Sequence, residues 1–390
     1  MIRTLMEGLM RHFAWWGGAL LHPRDPRAPF GFRRGVMLVF GMPLFIGVQT
    51  IHAVCLLLDE ILFPGYRRVR VGRALFITGI PRSGTSFLQR TLAVDADRYT
   101  SLTTWEALFA PSVTQRRIVH GLAAIDRRLG RCMGRAVDAL THRLTGTLDG
   151  IHEVGLEAPE EDYLVLLPAG GCFIMLLAFP GAPDLQNLGH FDRRIPAARR
   201  RRLLDFYERC LQRHLYADGG QRRLLSKNAA FGSWLEALHG RFPEARFIVC
   251  IREPTAALSS QISAIASAHH LFGTAVTTAT FQQFFFGMLS DTLDYLAVTL
   301  ARWPIERAAV IDMDDLRAAP SEVIHGALMR LGEETGAEMA SHLAALQAHT
   351  GSGHRHEPGT LTIDHDELQR CMQPNYRFLL TLPHRAWRKI

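Results

Sequence analysis

The sequence predicts an α/β protein in which a doubly wound parallel sheet is flanked by helices and preceded by an apolar helical extension. Short, wholly apolar runs alternate with segments of helical spacing, which is the pattern of buried parallel strands joined by helices. The 390 residues are 48% hydrophobic and 21% charged, so a large core is available and general disorder is excluded. A stretch of 24 residues near the N-terminus carries no formal charge.

Residues 1–72 form the predicted extension. No apolar stretch followed by a small-residue cleavage site occurs in the first 34 residues, so no cleavable signal peptide is predicted. Residues 35–58 are long enough to cross roughly 30 Å of hydrocarbon as a helix. Pro43 and three polar residues oppose a spanning helix, and arginines on both flanks give no orientation. Two interpretations stay open: a transmembrane helix and, favoured, a helix docked on the protein or on a membrane surface.

Residues 73–390 form the predicted second domain, in which strands and helices alternate. The apolar runs that predict strands are Ala74–Ile80, Leu224–Ser226, Arg246–Ile251 and Ala308–Asp312. Helices are predicted after the first strand, from Phe87 onward, and over Phe231–His239. A further helix opens at Pro196, and its apolar stripe consists of Leu203, Leu204, Tyr207, Leu211 and Leu215.

The formal charge of +7 and the pI near 9.4 favour an anionic partner. Of the 44 basic residues only Lys227 and Lys389 are lysines, and no basic run stands apart from apolar sequence. Nucleic acid is therefore not a predicted partner. The six cysteines are scattered and form no C-x-x-C pair, which predicts a reduced, cytoplasmic protein with neither a disulfide framework nor a metal site.

A glycine-containing loop, Gly79-Ile-Pro-Arg-Ser-Gly-Thr-Ser86, directly follows the first predicted strand. A strand, such a loop and a helix start direct several backbone N–H groups at one anion, and the helix dipole assists. The spacing is that of a nucleotide-binding P-loop, G-x4-G, but Thr85 stands where a nucleoside triphosphatase needs lysine. The cation here is Arg82, inside the loop. We therefore expect a P-loop-type sheet that binds phosphate without Mg·ATP chemistry, although Asp312 at a strand end is a candidate Mg²⁺ ligand.

The segment Pro81-Arg-Ser-Gly-Thr-Ser86 resembles the 5′-phosphosulfate loop of the sulfotransferases that use 3′-phosphoadenosine 5′-phosphosulfate (PAPS). It is most similar to the branch with a P-R-S-G-T-[ST] loop, which includes the tyrosylprotein sulfotransferases and many bacterial members. The resemblance implies a second element, and the chain has one: a strand ending in Arg252, followed by Ser260. This pair resembles the family's 3′-phosphate site, and an arginine fork suits a phosphate.

The resemblance implies transfer of a sulfuryl group from PAPS, the co-substrate, to a hydroxyl, or secondarily an amine, of an organic acceptor. The acceptor is expected to be a small molecule, a lipid or a glycan, and no metal is expected. The residues implied for the 5′-phosphosulfate are Arg82, Ser83, Gly84, Thr85 and Ser86. Arg252 and Ser260 are implied for the 3′-phosphate, and Arg355 lies in a segment that resembles the family's C-terminal nucleotide-closing loop.

Three side chains are the predicted catalytic groups. Glu106 is the candidate base, because its position after the loop resembles that of the tyrosylprotein branch, and a carboxylate beside Trp105 is expected to have a raised pKa. Lys227, the one interior lysine, is the candidate cation on the transferring group, and Arg82 shares the leaving-group charge. Three rivals for the base lie in an acidic stretch that resembles the acceptor-side segment of bacterial members: His152, Glu153 and Glu157.

Two other functional classes stay open. One is a divergent P-loop kinase or nucleotide-binding protein that uses Mg·ATP, which Thr85 opposes. The other is a non-catalytic nucleotide sensor at a membrane, which would tolerate the loss of Glu106 and Lys227. The predicted location is the cytoplasm, and whether residues 35–58 attach the protein to a membrane is left open.

Overall fold

The computed structural model describes residues 1–130, 156–275, 279–348 and 361–387. Its centre is a sheet of five parallel strands in the order β2-β3-β1-β4-β5. The strands are β1 Leu75–Gly79, β2 Tyr99–Thr100, β3 Arg223–Lys227, β4 Arg246–Ile251 and β5 Ala308–Asp312. Because β1 is central and later strands add on both sides, the sheet is doubly wound, as predicted.

Helices lie on both sides of the sheet. The N-terminal pair is α1 (Ile2–Leu21) and α2 (Phe32–Leu62), and α2 includes a π-helical turn at Met37–Gly41. The others are α3 Thr85–Leu92, α4 Thr104–Phe109, α5 Val113–Arg128, α6 Met175–Ala178, α7 Pro183–Gln186, α8 Phe191–Arg194, α9 Ala197–Ala217, α10 Leu235–Arg241, α11 Pro254–Phe272, α12 Ala279–Leu300, α13 Met313–Ala318, α14 Pro320–Arg330, α15 Ala337–Ala348 and α16 His365–Thr381. Short 3₁₀ helices cover Pro64–Arg68, Asp162–Ala169, Asn187–His190 and Ala229–Trp234.

Both faces of the sheet are buried, which explains why the strands read as continuous apolar runs. On one face Phe76 and Phe247 stack, with ring centroids 5.5 Å apart, inside the larger core cluster. On the other face Ile77, Ile248 and Ile311 belong to a second, smaller cluster. Successive strand residues therefore alternate between two cores, one under each layer of helices.

The N-terminal helices belong to the larger core. Trp15 of α1 and Leu38 of α2 are buried in it, and the indole N–H of Trp16 donates to the carbonyl of Leu38 at 2.8 Å. The predicted apolar N-terminal helix is thus present and docked on the protein. By length and composition α2 could also cross a membrane, and only 28% of its most apolar 18-residue stretch is buried.

Candidate active site

The loop between β1 and α3 is shaped by two glycines. Gly79 has a φ of +134°, and a Cβ there would lie 1.9 Å from the carbonyl oxygen of Cys250 on the neighbouring strand. Gly84, at φ +89°, precedes the first residue of α3. The first helical N–H groups, those of Thr85 and Ser86, have no intrahelical acceptor, since an α-helix supplies none there. The loop thus presents a helix N-terminus at the carboxyl end of the central strand.

Arg82 is the one non-glycine with a positive φ, +63°, in the described part of the chain. A non-glycine residue in this region costs roughly 1–3 kcal/mol, so the surrounding contacts must hold it there. The hydroxyl of Ser83 donates to the carbonyl of Ile80 at 2.6 Å and fixes the inside of the loop. The conformation directs the Arg82 side chain toward α11.

The two phosphate elements predicted from sequence meet at Arg82. The Nε of Arg82 donates to the Oγ of Ser260 at 3.1 Å, and the Nη1 of Arg252 donates to the carbonyl of Arg82 at 3.0 Å. Both guanidinium groups are half-buried, and burial lowers the pKa of each. Among the described residues neither forms an ion pair with a carboxylate. Partly desolvated cations that lack an ion-pair partner favour an anionic ligand.

Lys227 ends β3 next to the loop. It pairs in register with Ile77 of β1, so its side chain leaves the same edge of the sheet as the loop. Its Nζ lies 2.7 Å from Oε1 of Glu161, and the Lys227 side chain is 4% exposed. Glu161 is 24% exposed, and hence this carboxylate is the more accessible partner of the pair.

Glu161 is a site residue that the sequence analysis did not select. Its segment is held from both sides: the N–H of Glu160 donates to the carbonyl of Leu102 at 2.9 Å, and that of Tyr163 donates to Oδ1 of Asn228 at 2.9 Å. Asn228, which follows Lys227, also donates to Asp162. Burial raises the pKa of Asp162 to about 6. The signal in the sequence that could have found Glu161 is the acidic run around it. A buried lysine needs a carboxylate partner, and this run supplies one.

Glu106 lies in a different environment from the one expected. It occupies the first turn of α4, where Oε2 accepts the N–H of Thr103 at 3.0 Å. Oε1 lies 2.8 Å from Nη1 of Arg116, and Oε2 lies 3.5 Å from Nδ1 of His214. Burial on its own raises the pKa, but the His214 hydrogen bond and the Arg116 charge hold the pKa of Glu106 at about 2. The expectation of a raised pKa beside Trp105 is therefore wrong.

The Glu106 cluster borders its own cavity of about 560 Å³ at the β2 edge of the sheet. Arg116, His214, Asp218 and Arg222 line it with Glu106, whereas Lys227 and the phosphate loop do not. Of the other candidate bases, Glu157 is exposed, and His152 and Glu153 lie outside the described residues. Arg355 lies outside them as well.

A doubly wound sheet with a glycine-containing loop after β1, a helix start beyond it and a second arginine after β4 defines an α/β protein of the P-loop type. The model of the Sulfotransferase family matches residues 74–336, about two thirds of the chain. The chain therefore belongs to the sulfotransferase family, as the resemblance implied. The family supports a transferase that moves a sulfuryl group.

Solved structures agree on the fold. Sulfotransferase STF1 from Mycobacterium tuberculosis H37Rv (type1 form) has a TM-score of 0.70 and 16% identity, over 94% of this chain and 92% of that one. Sulfotransferase STF9 from Mycobacterium avium has a TM-score of 0.68 and 17% identity, over 98% and 96%. At such identities the likeness concerns the fold alone. No curated protein matched the sequence in the comparison made.

Proposed function

We propose that the protein transfers a sulfuryl group from PAPS to a hydroxyl, or secondarily an amine, of a small-molecule, lipid or glycan acceptor, without a metal. The observation that carries this proposal is the junction of Arg82, Ser260 and Arg252. This junction joins the two predicted phosphate-binding elements. PAPS differs from ATP in carrying a phosphate on the 3′ oxygen of its ribose as well as on the 5′ oxygen. One element suits the 5′-phosphosulfate and the other the 3′-phosphate.

The proposed roles follow from the charges. Backbone N–H groups of residues 82–86 hold the 5′-phosphosulfate, and Arg252 with Ser260 holds the 3′-phosphate. The acceptor oxygen forms a bond to sulfur while the bond from sulfur to the 5′-phosphate oxygen breaks, so adenosine 3′,5′-bisphosphate (PAP) leaves. Lys227 and Arg82 stabilise the charge on the transferring group and on the leaving oxygen. Arg355 stays a predicted nucleotide contact.

The acceptor proton needs a base, and two carboxylates compete. Glu106 is favoured by its position in the sequence, but its ion pair with Arg116 and its pKa of about 2 make it a poor proton acceptor near neutral pH. Glu161 is ion-paired as well, but its partner is Lys227, the cation proposed to turn to the transferring group, and its side chain is 24% exposed. We therefore propose Glu161 as the base and Glu106 as a residue that positions α4. Glu157 is a further alternative, exposed in the same acidic segment as Glu161.

The Mg·ATP alternative has less support. Thr85 stands at the position of the P-loop lysine. Asp312, the acid at a strand end, instead caps α13 through the N–H of Asp314 and accepts the hydroxyl of Tyr376 at 2.7 Å. Two hydrogen-bond donors already occupy this carboxylate.

We further propose a cytoplasmic location. The five described cysteines are unpaired, and four of them are buried. Burial raises the pKa of the Cys172 thiol and lowers its reactivity, which suits a reduced compartment but does not require one.

The test is a thermal-shift titration of the purified protein in EDTA with PAP, ADP and ATP. A ligand that binds only the folded state raises the unfolding midpoint as its concentration exceeds its Kd. We expect PAP to raise the midpoint most, without added metal. A shift with ATP that appears only when Mg²⁺ is added, together with no shift by PAP, would overturn the proposal in favour of the kinase alternative.

A further inference from the structure

The helix α2 is apolar on its outward stripe as well as on much of its inward one, which is unusual for a surface helix of a water-soluble protein. Its inward stripe combines buried apolar side chains, among them Leu38, Met42, Ile46 and Leu56, with four buried polar or charged ones: Arg34, Gln49, His52 and Asp59. Its outward stripe is apolar along the whole helix: Phe32, Val36, Val39, Phe40, Leu44, Ile51, Val54, Leu58, Ile61 and Leu62. A helix at a water boundary turns its apolar stripe inward. The exposed apolar stripe of α2 therefore favours an apolar partner.

The inward polar groups are firmly bonded to the rest of the protein. Asp59 and Arg213, with side chains 0% exposed, lie 2.8 Å apart, and Asp59 also accepts the N–H groups of Val113 and Thr114. The Nε2 of Gln115 lies 2.8 Å from Nδ1 of His52. These contacts fix the rotation of α2, so its apolar stripe cannot turn inward without breaking a buried ion pair.

The helix α1 extends the same face. It packs beside α2 and, at Gly8, rests directly on the 3₁₀ helix Asp162–Ala169, which α2 also contacts. Since the two helices pack against each other and rest on one segment, their outer stripes are neighbours on the surface. The outer stripe of α1 is also apolar: Ile2, Met6, Met10, Phe13, Leu20 and Leu21. Scattered exposed apolar residues are ordinary, but a continuous two-helix surface marks an interaction site. We call it the α1–α2 face.

The charge of this region selects the partner. Residues 1–72 contain nine arginines and four acids. Every one of those acids is already paired with arginine: Glu7 with Arg3, Asp25 with Arg27, Asp59 with Arg213 and Glu60 with Arg67. A second copy would bring the same positive charge against it, whereas an anionic lipid headgroup layer is complementary.

We propose that the α1–α2 face binds the surface of a bilayer that contains anionic lipids, with α2 lying in the plane of the interface. The inward contacts of Asp59 and His52 keep α2 against the α/β domain, which is incompatible with a helix surrounded by hydrocarbon on all sides. The apolar side chains enter the headgroup boundary, and exposed arginines of residues 1–72, such as Arg24, Arg68 and Arg70, contact the headgroups. This inference does not depend on the proposed reaction.

The test is flotation of the full-length protein with vesicles of phosphatidylcholine alone and of phosphatidylcholine with phosphatidylglycerol. We expect binding to the anionic vesicles that weakens with salt. Leu44→Glu and Ile51→Glu, on outward positions that are 71% and 57% exposed, are expected to lower the bound fraction about tenfold each. Met329→Glu, on α14 at 64% exposure, is the matched control and is expected to bind as the wild type does.

Three results would overturn the proposal. The first is equal vesicle binding by the wild type and both glutamate variants, provided that their unfolding midpoints match. The second is a lipid-free dimer that Leu44→Glu dissociates, with no binding to vesicles, which would assign the α1–α2 face to a second copy. The third is vesicle-bound protein that resists alkaline carbonate, which would mean that α2 spans the bilayer.

Discussion

The carboxyl edge of the sheet has two halves that differ in how their charges are matched. Around β1 and β4, Arg82 donates to the hydroxyl of Ser260 and Arg252 donates to the carbonyl of Arg82. Neither guanidinium group forms an ion pair with a described carboxylate. Around β3 and β2, each cation has an acid: Lys227 has Glu161, and Arg116 has Glu106. The first half needs an anion to complete it, whereas the second is already neutralised. We infer that binding and chemistry are divided between the halves.

The strongest way to test this division is to remove Lys227, the cation of the second half that ends the strand next to β1. Lys227→Met is expected to lower the rate of sulfuryl transfer about 10³-fold, since the positive charge that stabilises the transferring group is lost. PAP affinity is expected to stay near the wild-type value, because Lys227 is not among the phosphate-binding groups. The rate is measured as transfer of ³⁵S from labelled PAPS to an acceptor found in a panel of hydroxyl compounds.

Lys389→Met, at the only other lysine of the chain, is the control and should leave the rate unchanged. Transfer by Lys227→Met at nearly the wild-type rate would remove the lysine from the mechanism. It would also remove the reason for dividing the edge into halves.

Substitution of two carboxylates in the second half tests which of them is the base. Glu161→Gln is expected to lower kcat about 10²-fold, as loss of a general base does. Glu106→Gln is expected to change kcat much less, because that carboxylate is occupied by Arg116 and His214. The readout is kcat at saturating PAPS, measured beside PAP affinity, which neither variant should change. The opposite pattern would return the base to Glu106.

Glu106 is expected to act on stability instead. Its pKa is about 2 in the folded protein and about 4.5 ordinarily, so its contribution is present above pH 4.5 and is lost as the pH falls toward 2. The shift corresponds to about 3 kcal/mol at neutral pH. Urea unfolding of Glu106→Gln should show nearly all of this loss at pH 7 and less than half of it at pH 3, where the contribution is partly titrated away. Glu338→Gln, at an exposed position, is the control. An equal loss at both pH values would contradict the linkage.

The smallest expected effect belongs to the first half. Ser260→Ala removes one neutral hydroxyl donor and leaves Arg252 in place, so PAP affinity should fall only about fivefold. Isothermal titration of PAP in EDTA into the wild type and Ser260→Ala measures this. A loss as large as that from removal of an arginine would mean that Ser260 acts by holding Arg82 rather than by touching phosphate.

Local sequence determined most of the sheet. Arg246–Ile251 and Ala308–Asp312 are strands over the predicted residues, because an apolar run of five or six residues between turn signals has few alternatives. The strand β2 was not predicted, since its two residues, Tyr99 and Thr100, are too few to show a period. The helix predicted from Phe231 divides into a 3₁₀ helix and α10, a boundary that periodicity does not resolve.

The candidate site was predictable where one segment carries the chemistry. The loop around Arg82 and the strand end at Arg252 are such segments, and the structure brings them together. Glu161 and the Glu106 environment depend on contacts between distant positions. Glu161 meets Lys227 across 66 residues, and Glu106 meets Arg116 and His214 on two other helices. No local pattern encodes those contacts, so the base could not be assigned from sequence.

The central claim is that Arg252 binds a 3′-phosphate. The most direct measurement is isothermal titration, in EDTA, of PAP and of adenosine 5′-phosphate, which differ only by that phosphate, into the wild type and Arg252→Ala. We predict that the wild type prefers PAP about 100-fold and that Arg252→Ala loses this preference while its affinity for adenosine 5′-phosphate is unchanged. Arg302→Ala, at an exposed arginine, should behave as the wild type. Equal affinity of the wild type for the two nucleotides, or an undiminished preference for PAP in Arg252→Ala, would contradict the claim.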